Sequence, residues 1–268
     1  MASTDAAGRR PADGSLIEHP HAQSGSRIRL EWGPVGAEFL GPTSTVSVVV
    51  DVLSFTTTLS VAADRGVAVH PHPWADDGAE RLAVSLGATL ARGRRDTGPG
   101  QVSLSPRSVR EAEHLERLVL PSPNGASISA SLAGGDSSVI GACLRNRRAT
   151  AAFVARRLFA DSTSSVVLGP AGERWPDGSL RPAVEDLWGA GGVVAALEDL
   201  GLTSVSEEAS AAAAAYRLVE ARLGEALAAC SSGRELADGG YAVDVAIAGE
   251  LDESGSVPRL VDGAFVAQ

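Results

Sequence analysis

Residues 45–53 read Thr-Val-Ser-Val-Val-Val-Asp-Val-Leu, a nearly continuous apolar run closed by an acid. A strand with one wet face alternates polar and apolar side chains. This run does not alternate, so it predicts a strand buried on both faces, as in a parallel sheet. Outward from it, short β-branched runs at 67–70, 118–120, 137–141 and 165–169 read as further strands. Between and after them, Ala- and Leu-rich stretches predict helices at about 56–65, 76–86, 125–133, 148–159, 184–200 and 207–229. Gly233 reads as a stop for the last of these. The alternation of the two element types implies a three-layer α/β/α fold with a largely parallel sheet. Residues 257–266 read as an edge strand or hairpin. Residues 1–25, rich in Ala, Ser, Gly, Pro and His without periodicity, read as a disordered tail, leaving 26–268 as one α/β domain. No internal repeat or linker divides that body.

Composition narrows the function. The formal charge of -10 argues against nucleic acid, whose backbone needs a basic surface. An acidic protein that handles an anion must gather positive field locally, through arginines, helix N-termini or a bound cation. The two cysteines, Cys143 and Cys230, are far apart and lack metal-ligand spacing, which suits free thiols in a reducing compartment. No apolar stretch approaches the ~20 residues that span a bilayer, and no apolar segment follows the N-terminal basic residues. The expected location is the cytoplasm.

In open α/β sheets ligands gather beyond the carboxyl ends of the strands. After the first apolar run come Asp51 and then Ser54-Phe55-Thr56-Thr57-Thr58, opening a helix. The strand at 118–120 delivers Ser122-Pro123-Asn124-Gly125, and the one at 137–141 delivers Arg145-Asn146. The strand at 165–169 delivers Gly172-Glu173-Arg174, with Glu185-Asp186 opening the next helix. Helix N-termini and hydroxyls suit phosphate oxygens, and carboxylates can hold a Mg²⁺ ion that bridges to them. Each motif also has a structural reading. Ser54, Thr56 or Asn124 can cap a helix, and acids in a first turn stabilise the helix dipole. Asp51 differs, since an acid ending an apolar strand is costly to bury unless paired or metal-bound.

Taken together the motifs resemble the 2-phosphosulpholactate phosphatases. Asp51-Val52-Leu53 with Thr56-Thr57-Thr58 is similar to that family's opening block. Ser122-Pro123-Asn124-Gly125, Ala171-Gly172-Glu173-Arg174 with Glu185-Asp186, and Cys230–Leu236 with Gly240-Tyr241 and Asp244-Val245 come next, in the family's order. The resemblance runs from about Arg27 to Ala267. It implies a Mg²⁺-dependent, usually dimeric enzyme that converts 2-phospho-3-sulpholactate to 3-sulpholactate and phosphate on the route to coenzyme M. Two departures stand out: family members commonly carry arginine at the position of Ser54 and cysteine at that of Pro170. The first removes a bidentate anion clamp, which Arg145, Arg174 or Arg94 would have to replace.

The expected site therefore has Asp51, Glu185 and Asp186 holding Mg²⁺, with Glu173 as ligand or proton carrier. Phosphate rests on Thr56, Thr57 and Thr58 and on Ser122, Asn124 and Gly125, while Arg174 or Arg145 neutralises transition-state charge. Either a metal-activated water or Asp51 itself attacks phosphorus. Two rivals remain: a non-catalytic phosphate-binding protein on the same fold, and a dinucleotide-dependent oxidoreductase. The second lacks a G-x-G-x-x-G after any strand, since Gly189-Ala190-Gly191-Gly192 falls inside a helical stretch.

Overall fold

In the computed structural model, which describes residues 19–98 and 100–268, the run at 45–53 is the buried strand its composition requires. The strands are β1 (Ile28–Leu30), β2 (Val46–Val50), β3 (Ala68–His72), β4 (Thr89–Leu90), β5 (Arg117–Pro121) and β6 (Ser138–Ala142). They continue with β7 (Val166–Pro170), β8 (Glu173–Arg174), β9 (Leu180–Arg181), β10 (Pro258–Val261) and β11 (Ala264–Ala267). All five residues of β2 are buried, and it pairs in parallel with β6 on one side and β7 on the other. The main sheet has nine strands in the order β1-β7-β2-β6-β10-β11-β3-β5-β4. Strands β8 and β9 form a separate two-stranded hairpin.

The segment at 257–266 is a hairpin, one of its two expected forms, but it does not lie at an edge. β10 pairs antiparallel with β6, and β11 with β3, so the hairpin joins two parallel halves of the sheet. Its side chains explain the position: Val257, Ala264 and Phe265 are buried, and Phe265 meets Phe55 edge-on at 6.1 Å between centroids.

The helices are α1 (Gly33–Leu40), α2 (Phe55–Asp64), α3 (Asp77–Leu86), α4 (Pro106–Glu111), α5 (Gly125–Leu132) and α6 (Arg147–Ala160). The C-terminal half adds α7 (Val184–Asp199), α8 (Glu207–Val219), α9 (Leu223–Ala229), α10 (Ser231–Asp238) and α11 (Ala242–Ala248). Side-chain alternation along β2 sorts them into layers. Val46, Val48 and Val50 pack with α6, α7, α8 and α9, whereas Val49 faces α1, α2 and α5 on the other side. No helix among the described residues is long and apolar enough to cross a membrane.

Three expectations need correction, and two elements, β1 and α1, are additional to those expected. The helix at 207–229 is interrupted by a 3₁₀ turn at Glu220–Arg222, after which α9 still buries Leu223, Ala226 and Leu227. Gly233 does not stop that helix: it lies in the first turn of α10, where a Cβ would come within 1.8 Å of the Leu227 carbonyl oxygen. Absence of a side chain there lets α10 close onto α9. The ordered body also starts before residue 26. Pro20–Ala22 form a 3₁₀ turn, and the Gln23 amide exchanges bonds of 2.8 and 3.2 Å with the Leu30 backbone. The rest of the expected tail, residues 1–18, lies outside the described residues. Finally, β1 and α1 carry no periodicity long enough to announce them.

The glycine run 189–192 has a packing role. A Cβ on Gly191 would sit 1.9 Å from the Ala212 carbonyl oxygen, so α8 lies directly on the α7 backbone. Gly191→Ala is expected to cost about 1–3 kcal/mol, or several degrees of melting temperature. A thermal melt checks this, and an unchanged midpoint would contradict so close a packing.

Candidate active site

The carboxyl end of β2 turns into α2 through Asp51, and the Leu53–Ser54 peptide is cis. Asp51 is buried, yet both of its oxygens have partners. Oδ1 accepts from the Phe55 amide at 3.2 Å, and Oδ2 accepts from the Gly125 amide at 2.9 Å. One carboxylate therefore ties the start of α2 to the start of α5. Burial pushes the Asp51 pKa up to about 6; the two amides oppose this, Glu185 adds repulsion and Arg94 relieves it.

Three further acids surround it. Glu173, on the β8–β9 hairpin, accepts from Asn124 Nδ2 at 3.0 Å. Burial first, then the charges of Asp51 and Glu185, raise its pKa to about 7, against the Asn124 bond and Arg181. Glu185 and Asp186 open α7 and are both buried. Asp186 accepts from the Val52 amide at 2.7 Å and the Gly172 amide at 2.9 Å, which joins the loops after β2 and β7. Burial, then Asp51 and Glu185, push its pKa well up. Glu185 also reaches Cys230, whose thiol is driven to about 11 by burial and by that neighbouring charge. The sequence blocks around residues 51, 124, 173, 185 and 230 thus meet at one rim, as their order implies.

The threonines do not. Thr56, Thr57 and Thr58 are fully buried, and their hydroxyls donate to the Asp51, Val52 and Leu104 carbonyls. The Phe55 and Thr56 amides are likewise taken by Asp51. This helix start holds Asp51 in place and its three hydroxyls are committed to backbone carbonyls, so the expected cradle of Thr56–Thr58 hydroxyls is corrected. Arg145 is a second correction. Its guanidinium is bound to Ser60 at 2.9 Å, Asp64 at 3.2 Å and Glu250 at 3.0 Å, so two acids away from the rim neutralise it. Ser122 is buried, with its amide on the His72 carbonyl.

Asn124 and Gly125 keep a direct place. Asn124 precedes α5 without capping it, and its side chain turns to Glu173. Together with Glu173 and Arg174 it lines a cleft of about 340 Å³, whose other wall includes Trp32 and Leu180. Arg174 is exposed, with its guanidinium near the Pro123 and Gly178 carbonyls.

The cation beside Ser54 is Arg94. It donates to the Ser54 hydroxyl and, at 3.1 Å, to the Leu104 carbonyl, and it pairs with buried Asp244 at 3.3 Å. It also lies over the Tyr241 ring at 5.4 Å. Of the three arginines that could make up for Ser54, it is the one in contact with that residue. Arg181 is a rim residue that sequence reasoning misses. It arrives only because the hairpin folds back, bonding Ser232 at 3.2 Å and acting on Glu173. No local motif marks it.

The donor chemistry suits Mg²⁺, a hard cation that takes oxygen ligands. Asp51, Glu173, Glu185 and Asp186 are all carboxylates, and mutual repulsion contributes to the raised pKa of three of them. An amide on each oxygen of Asp51 or Asp186 leaves a second lone pair there. Among the described residues, however, no three such side chains stand at metal-ligand spacing.

Compared with families of known proteins, the chain matches the 2-phosphosulpholactate phosphatase family over residues 39–263. That span includes Asp51, Asn124, Gly125, Glu173, Arg174, Glu185 and Asp186. No curated protein matches it significantly.

Proposed function

The chain belongs to the 2-phosphosulpholactate phosphatase family and is a phosphoric monoester hydrolase, and from this premise we propose that its substrate is 2-phospho-3-sulpholactate or a closely related 2-phosphorylated hydroxy acid. The observation that carries the reading is the meeting of Asp51, Glu173, Glu185 and Asp186 at one rim, with arginines at its margins. Asp51, Glu185 and Asp186 would hold Mg²⁺, which when bound would supply the charge neutralisation that an anionic ester needs beside carboxylates. Asn124 and Arg174 orient the phosphoryl group in the cleft. Glu173, with its pKa about 7, carries the proton from the attacking water towards the leaving alkoxide oxygen. The ester O–P bond breaks as the water O–P bond forms, giving the free hydroxy acid and inorganic phosphate.

Phosphate release from 2-phospho-3-sulpholactate, 2-phospholactate and 2-phosphoglycolate tests this. Release led by the sulphonated ester is expected. Thermal stabilisation by all three esters with no release would favour the non-catalytic binding reading instead.

Arg94 is the sulphonate anchor on this reading. A charge-assisted hydrogen bond is worth about 1.5–3 kcal/mol. Arg94→Lys should therefore reduce the kcat/KM preference for the sulphonated ester over 2-phospholactate by about tenfold or more. Equal losses on both esters would remove Arg94 from that role.

The raised carboxylates also give a pH dependence. A group whose folded pKa lies above its unfolded value contributes stability that is lost as pH rises through the folded pKa. For Asp51 and Glu173 that window is about pH 6–7. The metal-free melting temperature should fall between pH 5 and pH 8, and Mg²⁺ should restore it more at pH 8 than at pH 5. A flat profile in EDTA would contradict the carboxylate cluster.

A further inference from the structure

The opposite edge of the sheet carries a second polar cleft, of about 290 Å³, with Arg27, Arg29, Thr43, Ser162, Thr163 and Ser165 in its wall. These residues precede β1, β2 and β7 or, for Arg29, lie within β1, whereas Asp51 follows β2. At about 3.3 Å per residue, the strand puts roughly 17 Å between the two edges.

Arg29 is only 4% exposed. Its Nη1 donates to the Ala22 carbonyl at 3.1 Å and to Thr43 Oγ1 at 3.0 Å. Its Nη2 donates to the Thr43 carbonyl at 2.7 Å, Ser44 Oγ at 2.8 Å and Ser165 Oγ at 3.1 Å. All of these acceptors are neutral, and Nε is buried with no partner among the described residues. Arg27 is similar: its bonds go to the Leu158, Asp161 and Ser164 carbonyls. Neither arginine has a carboxylate within ion-pair distance among the described residues, whereas Arg94, Arg107, Arg110, Arg145, Arg147, Arg148 and Arg217 do. No Asp or Glu among the described residues lines the cleft. Asp161, just before its rim, bonds Thr163 and Ser164 through its carboxylate and meets the Arg27 charge only beyond ion-pair distance.

What sets this place apart is burial: the Arg29 charge is enclosed with only neutral acceptors around it among the described residues, and a second arginine, Arg27, lies beside it. A guanidinium does not lose its proton, and a buried charge without a counter-charge is costly. Both costs fall when an anion enters. We propose that this cleft is a binding site for a tetrahedral oxyanion, filled by inorganic phosphate and separate from the candidate active site. The Arg29 hydrogen bonds, with the Thr43 and Ser165 hydroxyls donating to the Leu40 and Thr43 carbonyls, fix the wall and place a positive charge behind it. The donors turned to an oxyanion are Arg27 Nη1, since its Nε and Nη2 are bonded to carbonyls, and the exposed Ser162 hydroxyl.

The inference does not depend on the phosphatase reading, and the test keeps the two apart. Inorganic phosphate is titrated calorimetrically into the full chain without Mg²⁺, with sulphate and chloride at matched ionic strength as separate arms. Ser162 is exposed, so Ser162→Asp places a carboxylate at the cleft without disturbing the core. Ser162→Asp and Arg27→Gln should each weaken phosphate binding at least tenfold, while Ser162→Asn and Asp51→Asn should retain it. Sulphate should compete and chloride should not. Equal affinity in the wild type and both cleft variants would overturn the proposal. So would loss of binding in Asp51→Asn alone, which would put the phosphate at the other edge.

Discussion

Asp51→Asn is expected to lower phosphate release by at least about a thousandfold, the scale on which a directly acting acid–base or electrostatic group contributes. The charge on this residue is the feature the rest of the rim is built around. Two backbone amides, from Phe55 and Gly125, point at its two oxygens. Asparagine can answer only one of them with an acceptor, and its own NH₂ would face the other donor. A stability loss of about 1–3 kcal/mol should therefore accompany the loss of rate, offset in part because a buried charge disappears. A melt separates the effects: the variant should remain folded at 25 °C while turnover is abolished. A folded variant with near-normal rate would remove Asp51 from the chemistry.

The second large effect is expected at Gly125. A Cβ there would lie 2.3 Å from Phe55 Cδ1 and 2.9 Å from Asp51 Oδ2, well inside contact distance. Gly125→Ala must push α5 away from α2 or turn the Phe55 ring, and either movement strains the amide bond to Asp51. Overpacking of this kind costs about 1–3 kcal/mol, and displacement of Asp51 costs rate as well. A melting temperature lower by about 5 °C or more is expected, with phosphate release down about a hundredfold from a displacement near 1 Å. Ser129→Ala is the control, because its hydroxyl meets the Gly125 carbonyl from the helix side and not the Gly125 amide that holds Asp51. Wild-type rate and stability in Gly125→Ala would show that the two helix starts need not approach so closely.

Much of this arrangement is legible in the sequence, and the boundary has physical causes. The apolar run ending on Asp51 identifies both the central strand and its acid, because burying a charge there demands a partner. Asn124, Glu173 and Glu185 lie just past strand ends, where a parallel topology gathers its ligands. The threonines mislead because a hydroxyl at a helix start serves a phosphate or a backbone carbonyl equally well, and only burial decides. Arg145 misleads for a similar reason: Asp64 and Glu250, which neutralise it, are remote in sequence. Arg181 arrives by the fold of a short hairpin, and the position of the β10–β11 hairpin inside the sheet depends on pairing that no local pattern encodes. Asp186 reads from its helix start as a ligand. The structure adds a role that spacing does not show, in which its two oxygens fasten the loops after β2 and β7.

The most direct test of the account is inorganic phosphate release from 2-phospho-3-sulpholactate by the purified full chain, followed first with Mg²⁺, then after EDTA, then after Mg²⁺ is restored. The account predicts steady release that stops with the chelator and resumes with the metal. Folded protein that releases no phosphate under any of the three conditions would contradict it, as would release that EDTA leaves untouched.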